Sequence, residues 1–107
     1  HFKLDNLVGI VDHNGLQIDG WNRDVMNLEP LPDKWRAFGW NVIEVDGHDL
    51  SQLLSAYEQA ERVKGQPTMI IAHTVKGKGV SFMENNVDFH GKTPNREETE
   101  QALRELA

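Results

Sequence analysis

The sequence predicts an α/β fold in which about three parallel β-strands are flanked by helices. Three short, continuous apolar runs, at Leu7–Val11, Trp40–Val45 and Thr68–Thr74, are typical of strands that a parallel sheet buries on both faces. Segments with helical features separate these runs. Strands that alternate with helices through right-handed crossovers form a parallel sheet, so we expect part of an open, parallel α/β fold.

The first strand ends abruptly in a long polar segment. Asp12–Leu31 has no clear periodicity and is interrupted by glycine, asparagine and proline residues. Loops of this length inside compact domains are usually functional. Pro32 and Asp33 can then open a short helix, and Gly39 is placed to end it.

The clearest single element is the helix predicted from Leu50 to Lys64. It follows a turn whose last residue, Asp49, can accept hydrogen bonds from the first helical amides. Gly65 and Pro67 are suited to ending it. Its apolar residues form one helical stripe, which consists of Leu50, Leu53, Leu54, Tyr57, Ala60 and Val63.

A second irregular segment, Val75–Pro94, follows the third strand. Asn95 and Glu98 have the spacing of a capping box at the start of a final helix. Both irregular segments follow strands, and in open α/β folds ligands bind at the carboxyl ends of parallel strands. We therefore expect the two segments to share one site.

Composition and charge exclude several classes of partner. The chain has 107 residues, with 11 Lys and Arg against 17 Asp and Glu, which gives a net charge of −6. This charge argues against binding to nucleic acid or to anionic membranes. No apolar run approaches the ~20 residues that a membrane helix needs, and the amino terminus lacks the apolar core of a signal peptide. We expect no membrane partner and a cytoplasmic location, which the absence of cysteine also fits.

The aromatic content is high for the core that this chain can form. Three Trp, four Phe and one Tyr must be covered. A chain of this size buries only about 60–70% of the surface that its unfolded form exposes. We therefore expect the sheet to be incomplete alone and a neighbouring segment or subunit to complete it.

The polar segment after the first strand contains a candidate metal site. Asn14 offers a neutral side-chain oxygen, Gly15 allows a sharp turn, and the carbonyl of Leu16 follows two residues later. Mg²⁺ and Ca²⁺ take ligands of this kind and complete their shells with phosphate and water. The alternative is a loop in which Asp12 and Asn14 only hydrogen-bond their own backbone.

The second irregular segment carries candidate phosphate-binding and proton-transfer groups. Lys76 and Lys78 alternate with Gly77 and Gly79 and could meet phosphate oxygens, although an exposed basic turn has the same pattern. His90, in His90-Gly91-Lys92, suits hydrogen bonding or proton transfer, but an ordinary surface histidine also fits. No histidine spacing suggests zinc.

Four stretches of the chain, in this order, resemble the thiamine-diphosphate-binding domain of transketolase. They are DHNGLQIDG, GWNVIEVDGHD, PTMIIAHTVKGKGVSF and FHGKTP. The resemblance runs from about Leu4 to the final helix. The chain most resembles the amino-terminal half-subunit of a split transketolase, in which the pyrimidine-binding portion is encoded separately.

The resemblance implies roles for individual residues. Asn14 and the main-chain carbonyl of Leu16 would hold a divalent ion on the cofactor diphosphate, and His90 would approach the substrate near the reactive carbon of the cofactor. The remaining cofactor-side positions would be Ile18 in the pocket lining, Asp12, Lys92, and the loop residues Lys76 and Lys78.

The family motif GDG, which supplies the acidic metal ligand, does not occur in this chain. The resemblance therefore implies that residues 1–107 are the carboxyl-terminal half of the diphosphate-side domain, with the GDG half and the pyrimidine-binding domain absent. The complete enzyme would move a two-carbon ketol unit between ketose and aldose phosphates. This chain would be inactive alone and would act with the remaining segments or subunit, as a hetero-oligomer or dimer.

Two other readings stay open. One is another thiamine-diphosphate enzyme, such as deoxyxylulose-phosphate synthase or a 2-oxo acid dehydrogenase component. The other is a non-catalytic structural or interaction module that keeps the loop signatures by descent. The QIDG and FHGK stretches favour transketolase among these.

Overall fold

A computed structural model describes all 107 residues, His1–Ala107. The chain divides into two compact units: the first comprises His1–His13 and Leu28–Thr74, and the second comprises Asn14–Asn27 and Val75–Ala107. In chain order the elements are β1 (Val8–His13), β2 (Leu16–Gln17), β3 (Gly20–Trp21), α1 (Asn22–Val25), α2 (Leu31–Ala37), β4 (Asn41–Asp46), α3 (Leu50–Arg62), β5 (Thr68–His73), a 3₁₀ turn (Val87–His90) and α4 (Arg96–Glu105).

The first unit contains the predicted parallel sheet. Its three strands have the order β1-β5-β4, with both neighbours parallel to β5. Ile70 at the centre of β5 pairs with Ile10 on β1 and with Ile43 on β4. The α/β class and the three-stranded parallel sheet are confirmed.

The core of this unit lies between α3 and the strands β4 and β5. Ala56 and Ala60 of α3 are fully or almost fully buried, and Ala56 clusters with Val45, Ile70 and Ala72. The predicted cap of α3 is present, because the Asp49 carboxylate accepts hydrogen bonds from the amides of Ser51 and Gln52 in the first turn of the helix. These contacts hold the carboxyl ends of β4 and β5 in place.

One expectation about burial is wrong. β1 is not buried on both faces, since Val8 is 40% and Ile10 is 53% exposed. In the predicted stripe of α3, Leu50, Leu54 and Tyr57 are exposed. The reason is geometric: the helices of this unit pack mainly on β4 and β5, which leaves β1 less covered, and α3 faces β4 and β5 with its alanines.

The second unit is built from short elements. The strands β2 and β3 form a two-residue antiparallel hairpin that leads into α1. The segment from Asp12 to Leu31, predicted to be irregular, thus contains regular structure, and Asp12 itself belongs to β1. The capping box of α4 is confirmed, with Asn95 and Glu98 each accepting a hydrogen bond from the other's backbone amide. None of the helices is of a length and apolarity that would let it cross a membrane.

Candidate functional site

The second unit contains a small open depression with a volume of about 40 Å³. It brings together four residues that the sequence singled out from the two irregular segments, together with two that it did not. The lining residues are Asn14, Leu16, Gln17, Lys76, Val87 and His90. Residues from two segments that lie far apart in the sequence therefore meet in one site.

Asn14 lies in a tight turn that its own side chain closes. Its Oδ1 accepts a hydrogen bond of 2.9 Å from the amide of Leu16. Gly15 has a φ of +74°, a conformation that favours glycine, and its carbonyl accepts a hydrogen bond from the amide of Asn22. The local hydrogen bond considered as an alternative is thus present. A carbonyl oxygen has two lone pairs, so one remains for a further partner.

Lys76 enters the site from a glycine loop whose shape depends on Gly77. Gly77 has a φ of +71°, and a Cβ placed there would lie 2.6 Å from the carbonyl oxygen of Met83. The carbonyl of Lys76 accepts a hydrogen bond from the amide of Asn85, which closes the loop. Lys78 does not line the depression, and its ammonium lies 4.0 Å from the carboxylate of Glu84.

His90 is the last residue of the 3₁₀ turn. Asn86 caps this turn through a hydrogen bond from the amide of Asp88 to its side-chain oxygen. Two residues after His90, the Lys92 ammonium lies 2.7 Å from a carboxylate oxygen of Glu98. This hydrogen bond, followed by that from the Asn95 amide, lowers the pKa of Glu98 below its ordinary value.

The other predicted cofactor-side residues lie elsewhere. Asp12 belongs to the first unit, where its carboxylate accepts a hydrogen bond from the hydroxyl of Thr74. Ile18 is 66% exposed and is not among the residues that line the depression. Lys92 is also outside the lining and is paired with Glu98.

A chain of four side chains at the carboxyl end of the sheet was not predicted. The Nδ1 atoms of His13 and His73 lie 3.2 Å apart, and their Nε2 atoms lie 3.0 Å from Glu29 and 3.2 Å from Glu44. In the parallel pairing of β1 with β5, His13 and His73 are direct neighbours. This contact depends on the register of β1 on β5, which no local sequence pattern revealed.

The donors in the depression suit a charged ligand that combines an anion with a hard cation. The residues that line it carry side-chain amides, an ammonium and an imidazole. The chain has no group of three or more His, Asp or Glu side chains that could hold a metal ion. Any cation bound here would therefore take oxygen ligands from Asn14 and the backbone and need others from outside the chain.

Comparison with known proteins identifies the family of this chain. The family model of the transketolase thiamine diphosphate binding domain matches residues 1–107. The 6-deoxy-6-sulfo-D-fructose transketolase subunit SqwG of Clostridium sp. (strain MSTE9) is 46% identical over 104 residues, which are 97% of this chain and 38% of that protein. An apulose-4-phosphate transketolase subunit of Phocaeicola vulgatus is 42% identical over 106 residues, which are 99% of this chain and 38% of that protein.

Solved structures agree with the family match. The crystal structure of transketolase from Campylobacter jejuni superposes with a TM-score of 0.87 at 32% sequence identity, covering 95% of this chain and 16% of that one. This chain therefore has the fold of part of a transketolase and spans well under half the length of the similar subunits.

Proposed function

The chain belongs to the transketolase family, to its thiamine diphosphate-binding domain, and on that premise we propose that it supplies part of a magnesium and thiamine diphosphate site in a split transketolase. The complete assembly would transfer a two-carbon ketol unit between ketose phosphates and aldose phosphates. The observation that carries this proposal is the convergence of Asn14, Leu16, Lys76 and His90 on one depression.

The donor set fits a magnesium ion in part. Asn14 would contribute its side-chain oxygen through the lone pair that the Leu16 amide leaves free, and Leu16 would contribute its carbonyl. The remaining ligands would be diphosphate oxygens, water and an acidic side chain from outside this chain, since no carboxylate cluster is present here. Asn14 and Leu16 thus form part of a metal site whose completion requires another segment.

The cationic and imidazole groups would act on the anionic ligands. Lys76 would bind a diphosphate oxygen, because it lines the depression and its ammonium is a charged hydrogen-bond donor for phosphate oxygens. His90 would hold or move a proton at a substrate oxygen. Thiamine diphosphate, when bound, supplies the carbanion and the electron sink that ketol transfer requires.

The exposed apolar surface of the first unit supports assembly with a further segment or subunit. Ile10 on the edge strand and Leu54 and Tyr57 on α3 are 53%, 63% and 42% exposed. These side chains are apolar surface that a further segment or subunit could cover. We therefore place the missing part of the enzyme against this unit and regard this chain alone as inactive.

Reconstitution of the complete assembly tests the proposal. The protein is combined with the segment that carries the GDG motif and with the subunit that carries the pyrimidine-binding domain. Thiamine diphosphate binding is then measured by calorimetry with and without Mg²⁺. Ketol transfer between sugar phosphates is measured in parallel. Magnesium-dependent binding with turnover is expected, whereas a folded assembly that binds no thiamine diphosphate would contradict the proposal and favour a non-catalytic module.

A substitution of the metal ligand sharpens this test. In the reconstituted assembly, Asn14→Ala should weaken magnesium-dependent cofactor binding by about 10- to 100-fold, the loss typical of a hydrogen-bonding or ligating group opposite a charge. The control is Asn6→Ala, because Asn6 is an exposed amide in the first unit. Equal affinity of the Asn14→Ala variant and the wild type at limiting Mg²⁺ would exclude Asn14 as a ligand.

A further inference from the structure

The turn that presents His90 is anchored on the side that precedes it. Asn86 accepts a hydrogen bond of 3.0 Å from the amide of Asp88 and donates one of 3.1 Å to the carbonyl of Phe82. The ring of Phe89 packs against that of Phe82 at a centroid distance of 5.6 Å. The hydrogen bonds of Asn86 and the packing of Phe89 on Phe82 therefore hold the start of the turn.

The side that follows His90 is anchored through Lys92. Its ammonium lies 4.7 Å from the centre of the Phe89 ring and 2.7 Å from Oε1 of Glu98. Its backbone amide donates a hydrogen bond to the carbonyl of Asp88. Lys92 thus closes the turn around His90 and connects it to the first turn of α4.

Glu98 is the group on which this connection depends. Its Oε2 accepts a hydrogen bond of 2.8 Å from the amide of Asn95, while its Oε1 accepts the one from Lys92. One carboxylate therefore serves both as the helix cap and as the partner of the ammonium. Glu98 is less exposed than Lys92, with 24% against 49% of the side chain exposed.

We propose that Glu98 is a positioning residue for His90, acting through Lys92, in the reaction proposed above. The Lys92 pair fixes the end of the turn that carries His90, so the imidazole is presented to the depression in one arrangement. Positioning of a catalytic group to within a fraction of an ångström contributes strongly to rate, since a displacement of about 1 Å can cost about 100-fold. The predicted effect of Glu98 on the reaction rate rests on the proposed function. Its predicted effect on the structure of the 3₁₀ turn does not.

The substitution Glu98→Gln separates the two tasks of this side chain. Glutamine at this helix position also completes a capping box, so α4 keeps its cap. Its uncharged amide has one oxygen, and when that oxygen accepts from Asn95 the ammonium of Lys92 loses its partner. Glu100→Gln is the matched control, because Glu100 lies on the same helix and pairs with Arg96 at 3.1 Å without contacting the turn.

A double-mutant cycle in the complete assembly tests the proposal. Glu98→Gln should accelerate amide exchange in peptides covering residues 87–92 by about two- to fivefold, the range that exposed ion pairs produce. The same substitution should have no further effect when Lys92→Met is already present. Lys92→Met keeps an apolar stem over Phe89 and removes only the charge.

Turnover provides the second readout. Glu98→Gln should lower kcat by about three- to tenfold, well within the range known for misplaced groups, with less than about a twofold change in KM for the donor sugar. Glu100→Gln should change neither value. The proposal is overturned if Glu98→Gln has equal effects with and without Lys92→Met, if exchange in the turn does not change, or if exchange accelerates while kcat stays at the wild-type value.

The exchange experiment distinguishes failure of the two proposals. An assembly without ketol transfer, but with the expected coupling between Glu98 and Lys92 in residues 87–92, would refute the proposed reaction and retain the anchoring of the turn. An active assembly without that coupling would refute the role of Glu98 alone.

Discussion

Replacement of Gly77 by alanine should disrupt the loop that carries Lys76 into the depression. Gly77 has a φ of +71°, and the left-handed conformation costs a residue with a Cβ about 1–2 kcal/mol. The added Cβ would also lie 2.6 Å and 2.7 Å from the carbonyl oxygen and carbon of Met83, which are backbone atoms and cannot rotate away. Overpacking of this kind costs about 1–3 kcal/mol. The two effects together predict a loss of about 2–5 kcal/mol in the stability of the second unit.

Urea denaturation of the complete protein, followed by amide exchange in peptides covering residues 75–85, measures this loss. Gly91→Ala is the control, since Gly91 has a φ of −131° and a Cβ there would have no atom within 4 Å. The control should stay within about 0.5 kcal/mol of the wild type. If Gly77→Ala is as mild as Gly91→Ala, the loop does not require glycine and the reasoning from its backbone is refuted.

Three further predictions concern the hydrophobic core, the cap of α4 and the stability of α4 at low pH. Ile70→Ala should lower the free energy of unfolding by about 2–5 kcal/mol in urea denaturation, because Ile70 is fully buried in the core; a loss below about 1 kcal/mol would contradict this. Asn95→Ala should destabilise α4 by about 0.5–2 kcal/mol, measured by the same method, and unchanged stability would show that the cap contributes nothing. Hydrogen bonds lower the pKa of Glu98, chiefly from Lys92, and of Glu105, chiefly from Gln101. Their stabilisation is therefore present above the ordinary glutamate pKa of about 4.3 and is lost as the pH falls through the lowered folded values. The rate of amide exchange in α4, corrected for its intrinsic pH dependence, should rise below about pH 4. A corrected rate that does not change with pH would contradict the stabilising role of these two carboxylates.

Elements with local signals were predicted well from the sequence. The cap residue Asp49 and the Asn95–Glu98 box both occur where the spacing placed them, because a cap depends on the few residues around a helix start. The apolar runs of β4 and β5 also became strands. The short hairpin after β1 was missed, since two-residue strands have no periodicity to detect.

The sequence predicted four of the residues that line the candidate site, but not the contacts that these residues make. Asn14 and His90 meet in one depression, as the expectation of a shared site requires. The bonds of Lys92 to Glu98 and of Asn14 to the Leu16 amide were decided by the folded chain. The roles of these residues toward a cofactor stay predictions until binding is measured.

By itself, the sequence determined the fold class, the chain order of the three sheet strands, the caps of α3 and α4 and the family, since these depend on residue type and on spacing along the chain. The tertiary structure alone decided which apolar residues are buried. Ile10 and Leu54 have the same patterns as buried residues, yet they remain exposed because the helices pack mainly on β4 and β5 and α3 faces these strands with alanines. It also decided that His13 meets His73, because the register of β1 on β5 brings together residues that are far apart in the sequence. The pair of Lys92 with Glu98 spans only a few residues, but it depends on how the 3₁₀ turn meets the start of α4, which no local pattern records.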